Sequence, residues 1–468
     1  MKFLAVSPEA GDWTKLSPLA GAVNHLTEAY ARVGTEVLTC SPFYPALLGD
    51  ISAYSCVFSG IEHLRNMPFE VWKSPHSLHT YIRCDEYFAR PAIYGESGYS
   101  YSDNHLRFSF LASAALTYCA EIDFQPIAIC GHDWGGALVG ALAKSVYKDL
   151  FGTLPFFFTV HNITYDFHVT EQEIEKIGLS RADFNMDGYE FWGKVSLLKA
   201  GLFYASKVLF PSPGYREAML NSNLPGGLSG FLCRNEKKLK GIQFGVSYPV
   251  WDFNIEANLP IEEAKRHARK KLEAHIEKNF DDHLIMYCHL DEESGRTSET
   301  LATILADITK LNFFVIVGVS HNSPEGEYYR SVAGQNPGQI TTMDISPDDN
   351  ELKMVLAGAD ILFAANPREP SASLVLKALA AGTVPLTGKE VGCANLLANY
   401  DGDFQNANAM LVDDAAAPDQ MLRKLKEVAD LFAAAPENWE NIVRNAYRFR
   451  YEWDRTISQY LITFGECC

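Results

Sequence analysis

Apolar residues recur along this chain in two alternating spacings. Short continuous apolar runs alternate with longer stretches whose apolar positions fall three or four apart. Residues 2–7 read as a strand. Residues 19–31 read as a helix with Leu19, Val23, Leu26 and Tyr30 on one face, and residues 35–40 as a second strand. A β-α-β opening implies a parallel sheet. Residues 56–85 alternate like hairpins, 99–103 read as a loop, 104–122 as a helix, 126–130 as a buried strand and 155–160 as the next one. Residues 192–205 read as a helix and 207–211 as a strand. A turn over 237–245 closes a first domain, and a Lys/Arg/Glu-rich surface helix over 256–278 opens a second. Strands over 283–288, 313–317, 339–343, 360–365 and 384–387 then alternate with helices. Residues 420–434 and 439–464 read as helices at the end.

One stretch organises the second half. Residues 359–365 run apolar into a polar turn carrying Arg368, Glu369 and Pro370. A helix follows, with Ser371 or Ser373 as its N-cap. Glu369 is thereby placed at the carboxyl end of a strand beside a helix N-terminus, where open α/β sheets bind ligands and free N–H groups favour phosphate. An ordinary strand-turn-helix with a solvated glutamate fits the same pattern.

Length and charge narrow the classes. A chain of 468 residues exceeds one ordinary core, so two domains are expected. The net charge of -18 argues against nucleic acid and anionic membranes as partners. It leaves room for a phosphorylated small ligand. Ten scattered cysteines show neither CxxC pairs nor metal spacing and read as reduced thiols of a cytoplasmic protein. No run of 18 apolar residues is present, and the opening MKFLAVSP reads as a buried strand rather than a leader.

Gly131-His132-Asp133-Trp134-Gly135-Gly136 admits two readings. It resembles the nucleophile elbow of epoxide hydrolases and haloalkane dehalogenases, with Asp133 attacking carbon. That chemistry needs a late general-base histidine, and the last one here is His321.

The other reading rests on motifs in order. SPEAGDWTKLSPLAGAV with SPFYP, Tyr101-Ser-Asp103-Asn104 with Arg107-Phe108, Cys130-Gly-His132-Asp133-Trp134 and Thr159-Val-His161-Asn162 come first. Glu190-Phe-Trp-Gly-Lys194 with Leu198-Lys-Ala-Gly201, Lys238-Leu-Lys-Gly241 with Val250-Trp251, and Glu369-Pro370 with Gly382-Thr383 follow. Together they resemble bacterial glycogen synthases and plant starch synthases, ADP-glucose-dependent GT-B glycosyltransferases. The resemblance runs from residue 1 to about 465, with Trp453 and Tyr460 in its closing helix.

That resemblance implies an α/β fold of two facing Rossmann-like, doubly wound domains with a cleft between them. Residues 1–245 would be the acceptor side and 246–445 the donor side, with 446–468 packing back on the first domain. It implies a retaining glucosyltransferase that uses ADP-glucose or another nucleotide-glucose, an α-1,4-glucan acceptor, and neither metal nor cofactor. Glu369, His132 and Asp103 would be catalytic. Lys15, Gly318, Arg368, Ser371, Arg296 and His289 would contact the donor. Asn104, Asp133, His161 and Asn162 would shape the sugar side.

Departures from the family pattern concentrate on the donor. The family's KTGGL is Lys15-Leu-Ser17-Pro18-Leu19, and the Asp that follows it in the family is Gly21. Its SRLTxQKG aligns with Cys288-His289-Leu-Asp291-Glu292-Glu293-Ser294-Gly295, so His289 and Ser294 replace the diphosphate-binding Arg and Lys. Pro367 replaces another Arg, EPCG becomes Glu369-Pro370-Ser371-Ala372, and a TGG loop becomes Glu390-Val391-Gly392. These changes leave open a catalytically degenerate protein that binds glucan or a protein partner. The hydrolase using Asp133 is the second alternative.

Overall fold

The computed structural model describes residues 1–11, 17–254, 257–280, 283–290, 295–320, 323–344, 349–366 and 369–467. They form two compact units, one of residues 1–242 with 453–468, the other of residues 243–452.

The strands of the first unit are β1 (Lys2–Val6), β2 (Glu36–Pro42), β3 (Ser55–Ile61), β4 (Pro68–Lys73), β5 (His79–Arg83), β6 (Gly95–Glu96), β7 (Tyr99–Ser100), β8 (Ala128–His132), β9 (Phe156–Thr159), β10 (His168–Val169), β11 (Glu190–Phe191), β12 (Lys194–Ser196), β13 (Lys207–Phe210) and β14 (Leu239–Gly241). Nine of them make one sheet in the order β14-β13-β9-β8-β1-β2-β5-β4-β3. Pairing is parallel from β14 to β5 and antiparallel through β4 and β3. Strands β8 and β9 are wholly buried, as a sheet covered on both faces requires. The helix Pro18–Arg32 starts where Ser17 Oγ accepts the N–H groups of Leu19 and Ala20. The helix Trp453–Gly465 lies in this unit, with Phe464 edge-on to Phe3 at 4.8 Å.

The second unit holds β15 (Leu284–Leu290), β16 (Phe313–Val319), β17 (Ile340–Asp344), β18 (Ile361–Ala364), β19 (Val384–Gly388) and β20 (Met410–Val412). Their order is β17-β16-β15-β18-β19-β20, parallel throughout. In each sheet the chain reverses its direction of winding once. The reversal falls between β1 and β8 in the first and between β15 and β18 in the second. At such a switch point the connections leave in opposite directions and open a crevice at the carboxyl ends.

The structure corrects the sequence reading in five places. Residues 192–196 are not helical: Trp192 and Gly193 turn a hairpin between β11 and β12, and the helix is Leu197–Tyr204. The final helical stretch is two helices, Pro436–Arg448 and Trp453–Gly465, separated where Val246 N–H bonds Tyr451 O. The helix after Glu369 spans Ser373–Ala380, and its N-cap is Ala372 rather than either serine. Tyr99 and Ser100 form β7, paired with β6. Strand β20 adds a sixth strand to the second sheet, where the sequence reading placed none.

Candidate active site

The crevice of the first sheet is lined from β1 and β8. Strand β8 delivers His132 at its last position, and Asp133 follows at φ +49°, a left-handed conformation held by its surroundings. Asp133 Oδ1 accepts the N–H of His161 at 2.7 Å and of Asn162 at 3.5 Å. Burial pushes Asp133 up to about 7, against the pull of those two N–H groups. His132 Nδ1 and His161 Nε2 share one hydrogen bond of 3.0 Å. Burial brings His132 down to about 4, and burial plus His132 lowers His161 further. The two rings are therefore neutral at pH 7, one donating and the other accepting. Asn162 Oδ1 accepts Thr164 N–H at 2.9 Å and folds the following turn.

Glu9 belongs to this crevice, and the sequence reading missed it. It is 3% exposed, and its carboxyl is pushed up by burial. Tyr94 donates to Oε1 at 2.5 Å, and Oε2 has no hydrogen-bond partner among the described residues. The negative charge of Glu9 also raises Asp133. A glutamate two residues after a strand reads as solvated; its place in the SPE of the opening motif was the available signal.

Asp103 and Asn104 stand one step behind. Asp103 forms a two-pronged ion pair with Arg90 at 2.8 and 2.6 Å. Burial opposes its charge, but Arg90 holds it below the ordinary value. Asn104 is fully buried, donates to Tyr94 O at 2.8 Å and accepts from Arg107 at 2.6 Å. Both steady the Tyr94 segment, whose hydroxyl meets Glu9.

In the second sheet His289 sits at the carboxyl end of β15, its Nδ1 2.8 Å from Tyr287 Oη. Gly318 is its register partner on β16. A Cβ on Gly318 would lie 2.4 Å from Tyr287 Oη, so the glycine makes room for that hydroxyl. Glu369 follows β18 and accepts Leu374 N–H at 3.1 Å on Oε1, so it supplies the capping oxygen that Ala372 lacks. Ala372 adopts φ +51°, the conformation for which the family has glycine. Ser371 O accepts Gln243 Nε2 at 2.7 Å. After β19, burial pushes the Glu390 carboxyl up. Its Oε1 accepts Ala415 N–H at 3.1 Å, and Oε2 has no hydrogen-bond partner among the described residues. The exposed Arg296, in the first turn of the helix Gly295–Ile308, is the cation that acts on it. Lys15, Pro367, Arg368 and residues 291–294, including Ser294, lie outside the described residues.

Two doubly wound units, each with polar residues gathered at its switch point, make up a GT-B-type fold. A family model described as starch synthase catalytic domain matches residues 2–234. The glycogen synthase of Photobacterium profundum is 26% identical over 98% of this chain and 94% of its own length. That of Aeromonas salmonicida is 24% identical over 98% and 97%. The catalytic domain of starch synthase IV from Arabidopsis thaliana, solved with ADP and acarbose, superposes with a TM-score of 0.86 at 18% identity, covering 99% of each chain. The chain is thus similar to glycogen synthases over nearly its whole length, and its residues 2–234 match the starch synthase catalytic domain.

Proposed function

We propose that this protein is a retaining glucosyltransferase that moves glucose from ADP-glucose to the non-reducing end of an α-1,4-glucan. The observation that carries this reading is the coincidence, in both sheets, of the family's motif residues with the switch-point crevice. His132, Asp133 and His161 gather at one, His289 and Glu369 at the other. The glycogen synthase relatives and the ADP-bound starch synthase supply the substrate classes.

In this reading the nucleotide lies against the second sheet and the glucan against the first. The bond from glucose C1 to the diphosphate oxygen breaks, and ADP carries away the electron pair. The acceptor O4 bonds to C1 on the same face, and its proton passes to the leaving phosphate. Glu369, fixed by Leu374 N–H, steadies positive charge at the anomeric centre. The neutral His132–His161 pair offers the sugar a hydrogen bond without a competing charge. Asp133 sets the His161–Asn162 backbone, and Asp103 and Asn104 position the Tyr94 segment. Arg296 takes over diphosphate binding from the family's missing cations, with His289, Gly318 and Ser371 on the donor side; the donor roles expected of Lys15 and Arg368 fall on residues outside those described. The hydrolase alternative fits less well, because the Asp133 carboxylate is committed to two backbone N–H groups. A cytoplasmic setting is part of the reading; among the described residues no helix is long and apolar enough to cross a membrane.

The test is proton NMR of the products formed from maltotetraose with ADP-glucose, with UDP-glucose in parallel. New α-1,4 anomeric signals growing with ADP release are expected. β-linked product, or free glucose without chain growth, would contradict the proposal.

A further inference from the structure

The hairpin of β11 and β12 carries a residue that neither folding nor the reaction explains. Phe191 pairs with Lys194, so Trp192 and Gly193 alone make the turn. Both have positive φ, +52° and +76°. Two-residue hairpin turns of this hand favour Asn-Gly, and a bulky side chain at the first position is strained. Trp192 is nevertheless there, and it is 82% exposed. Backbone preference and burial both argue against a tryptophan here, so neither accounts for its place at the turn.

The surroundings form a platform. Phe191 stands edge-on to Trp192 with centroids 6.2 Å apart, and His168 stacks on Phe191 at 5.4 Å with planes 10° apart. A Cβ on Gly227 would lie 2.8 Å from Phe191 Cζ and 2.9 Å from Trp192 Nε1, so the bare backbone there braces the two rings. Glu190 Oε1 accepts Gly193 N–H at 2.6 Å, which fixes the turn. The platform is joined to the first crevice by one short segment. From His161 and Asn162 the chain runs through Tyr165, 53% exposed, into His168 on β10, which pairs with β12.

We propose that this surface is a second glucan-binding site, on which an α-glucan longer than the reacting end rests against Trp192. A pyranose ring presents a face of C–H groups that stacks on an indole, and a rim of hydroxyls for neighbouring polar groups. Asp187, paired with Arg234 at 3.4 Å, and Glu190 supply acidic neighbours that suit a neutral polysaccharide and repel nucleic acid or an anionic membrane. The identity of the sugar rests on the glucosyltransferase reading; the existence of the site rests on the hairpin.

Trp192→Asn separates the two, because asparagine is the residue the turn prefers. Binding to glycogen and to maltoheptaose is measured without donor, by affinity electrophoresis and calorimetry, beside the thermal midpoint. The variant should keep or raise its midpoint and bind glycogen about tenfold more weakly, with Trp192→Tyr between it and the parent. With donor present, the rise in KM should grow with acceptor length, about tenfold for glycogen and less than about twofold for maltotriose. Unchanged glycogen affinity, a lowered midpoint in Trp192→Asn, or no glycogen binding by the parent protein would each overturn the site. Donor-free binding lost with Trp192, in a protein that turns over no donor, would leave this site standing while the transferase reading fails. Turnover with unchanged glycogen affinity would do the reverse.

Discussion

At the crevice of β1 and β8, Glu9, His132 and Asp133 are buried, His161 is half-buried, and hydrogen bonds and charge link them. At the second sheet the half-buried Glu390 carboxyl feels the exposed Arg296. The protonation of Glu9, His132, Asp133 and His161 is shifted by loss of solvent around them. Such a network tolerates little change, because each member satisfies or repels the next. At the second sheet His289 and Ser294 stand where the resembled pattern has an Arg and a Lys, and Glu390 stands in its TGG loop. The comparison teaches where the chain departs from the pattern it resembles: in the loops that follow β15, β18 and β19 rather than in the packed polar network beside β8.

The sharpest way to break this contrast is Asp133→Asn. The amide keeps an acceptor for His161 N–H but cannot ionise. The folded-state carboxyl titrates near 7 rather than at the ordinary 3.8, so the folded protein binds more protons than the unfolded chain between those values. Stability therefore falls as pH rises through that window, by up to about 4 kcal/mol at 1.36 kcal/mol per unit. The asparagine variant should be more stable than the parent above pH 7, with no difference below pH 4, in urea unfolding at each pH. His132 has the opposite sign. Its folded value near 4 makes stability fall as pH drops from 6.5 toward 4. Equal pH profiles for parent and Asp133→Asn would remove the buried-network half of the comparison.

The donor half is tested next. Arg296→Ala should raise KM for ADP-glucose about tenfold, the loss of one charge-assisted contact. Glu390→Gln should act in the other direction, lowering that KM about threefold by removing a like charge. Both are read from initial rates at saturating glycogen. Smallest is Ala372→Gly. At φ +51° alanine is strained, and glycine should stabilise the fold by about 1 kcal/mol in equilibrium unfolding.

Both sheets were legible in the chain because parallel strands buried on two faces are continuous apolar runs, and Glu369 was placed correctly at the end of β18. What escaped was short-range or long-range. Trp192 sits in a run, Phe191 to Phe203, whose apolar spacing imitates a helix, and only Gly193 betrays the turn. Strand β20 has three residues and exists because β19 pairs with it. Ser371 and Ser373 looked like caps, yet the oxygen that reaches the helix comes from Glu369, a tertiary arrangement that no local preference encodes. Glu9 was hidden because burial of a glutamate depends on Tyr94, 85 positions away.

The most direct test of the transferase reading follows ADP release and glucan growth together, with ADP-glucose and glycogen, for the parent protein and Glu369→Ala. The account predicts equal moles of ADP and transferred glucose in the parent, and a loss of at least about 10²-fold in the variant while glycogen still binds. No ADP from a folded, glycogen-binding parent, or undiminished turnover in Glu369→Ala, would contradict it.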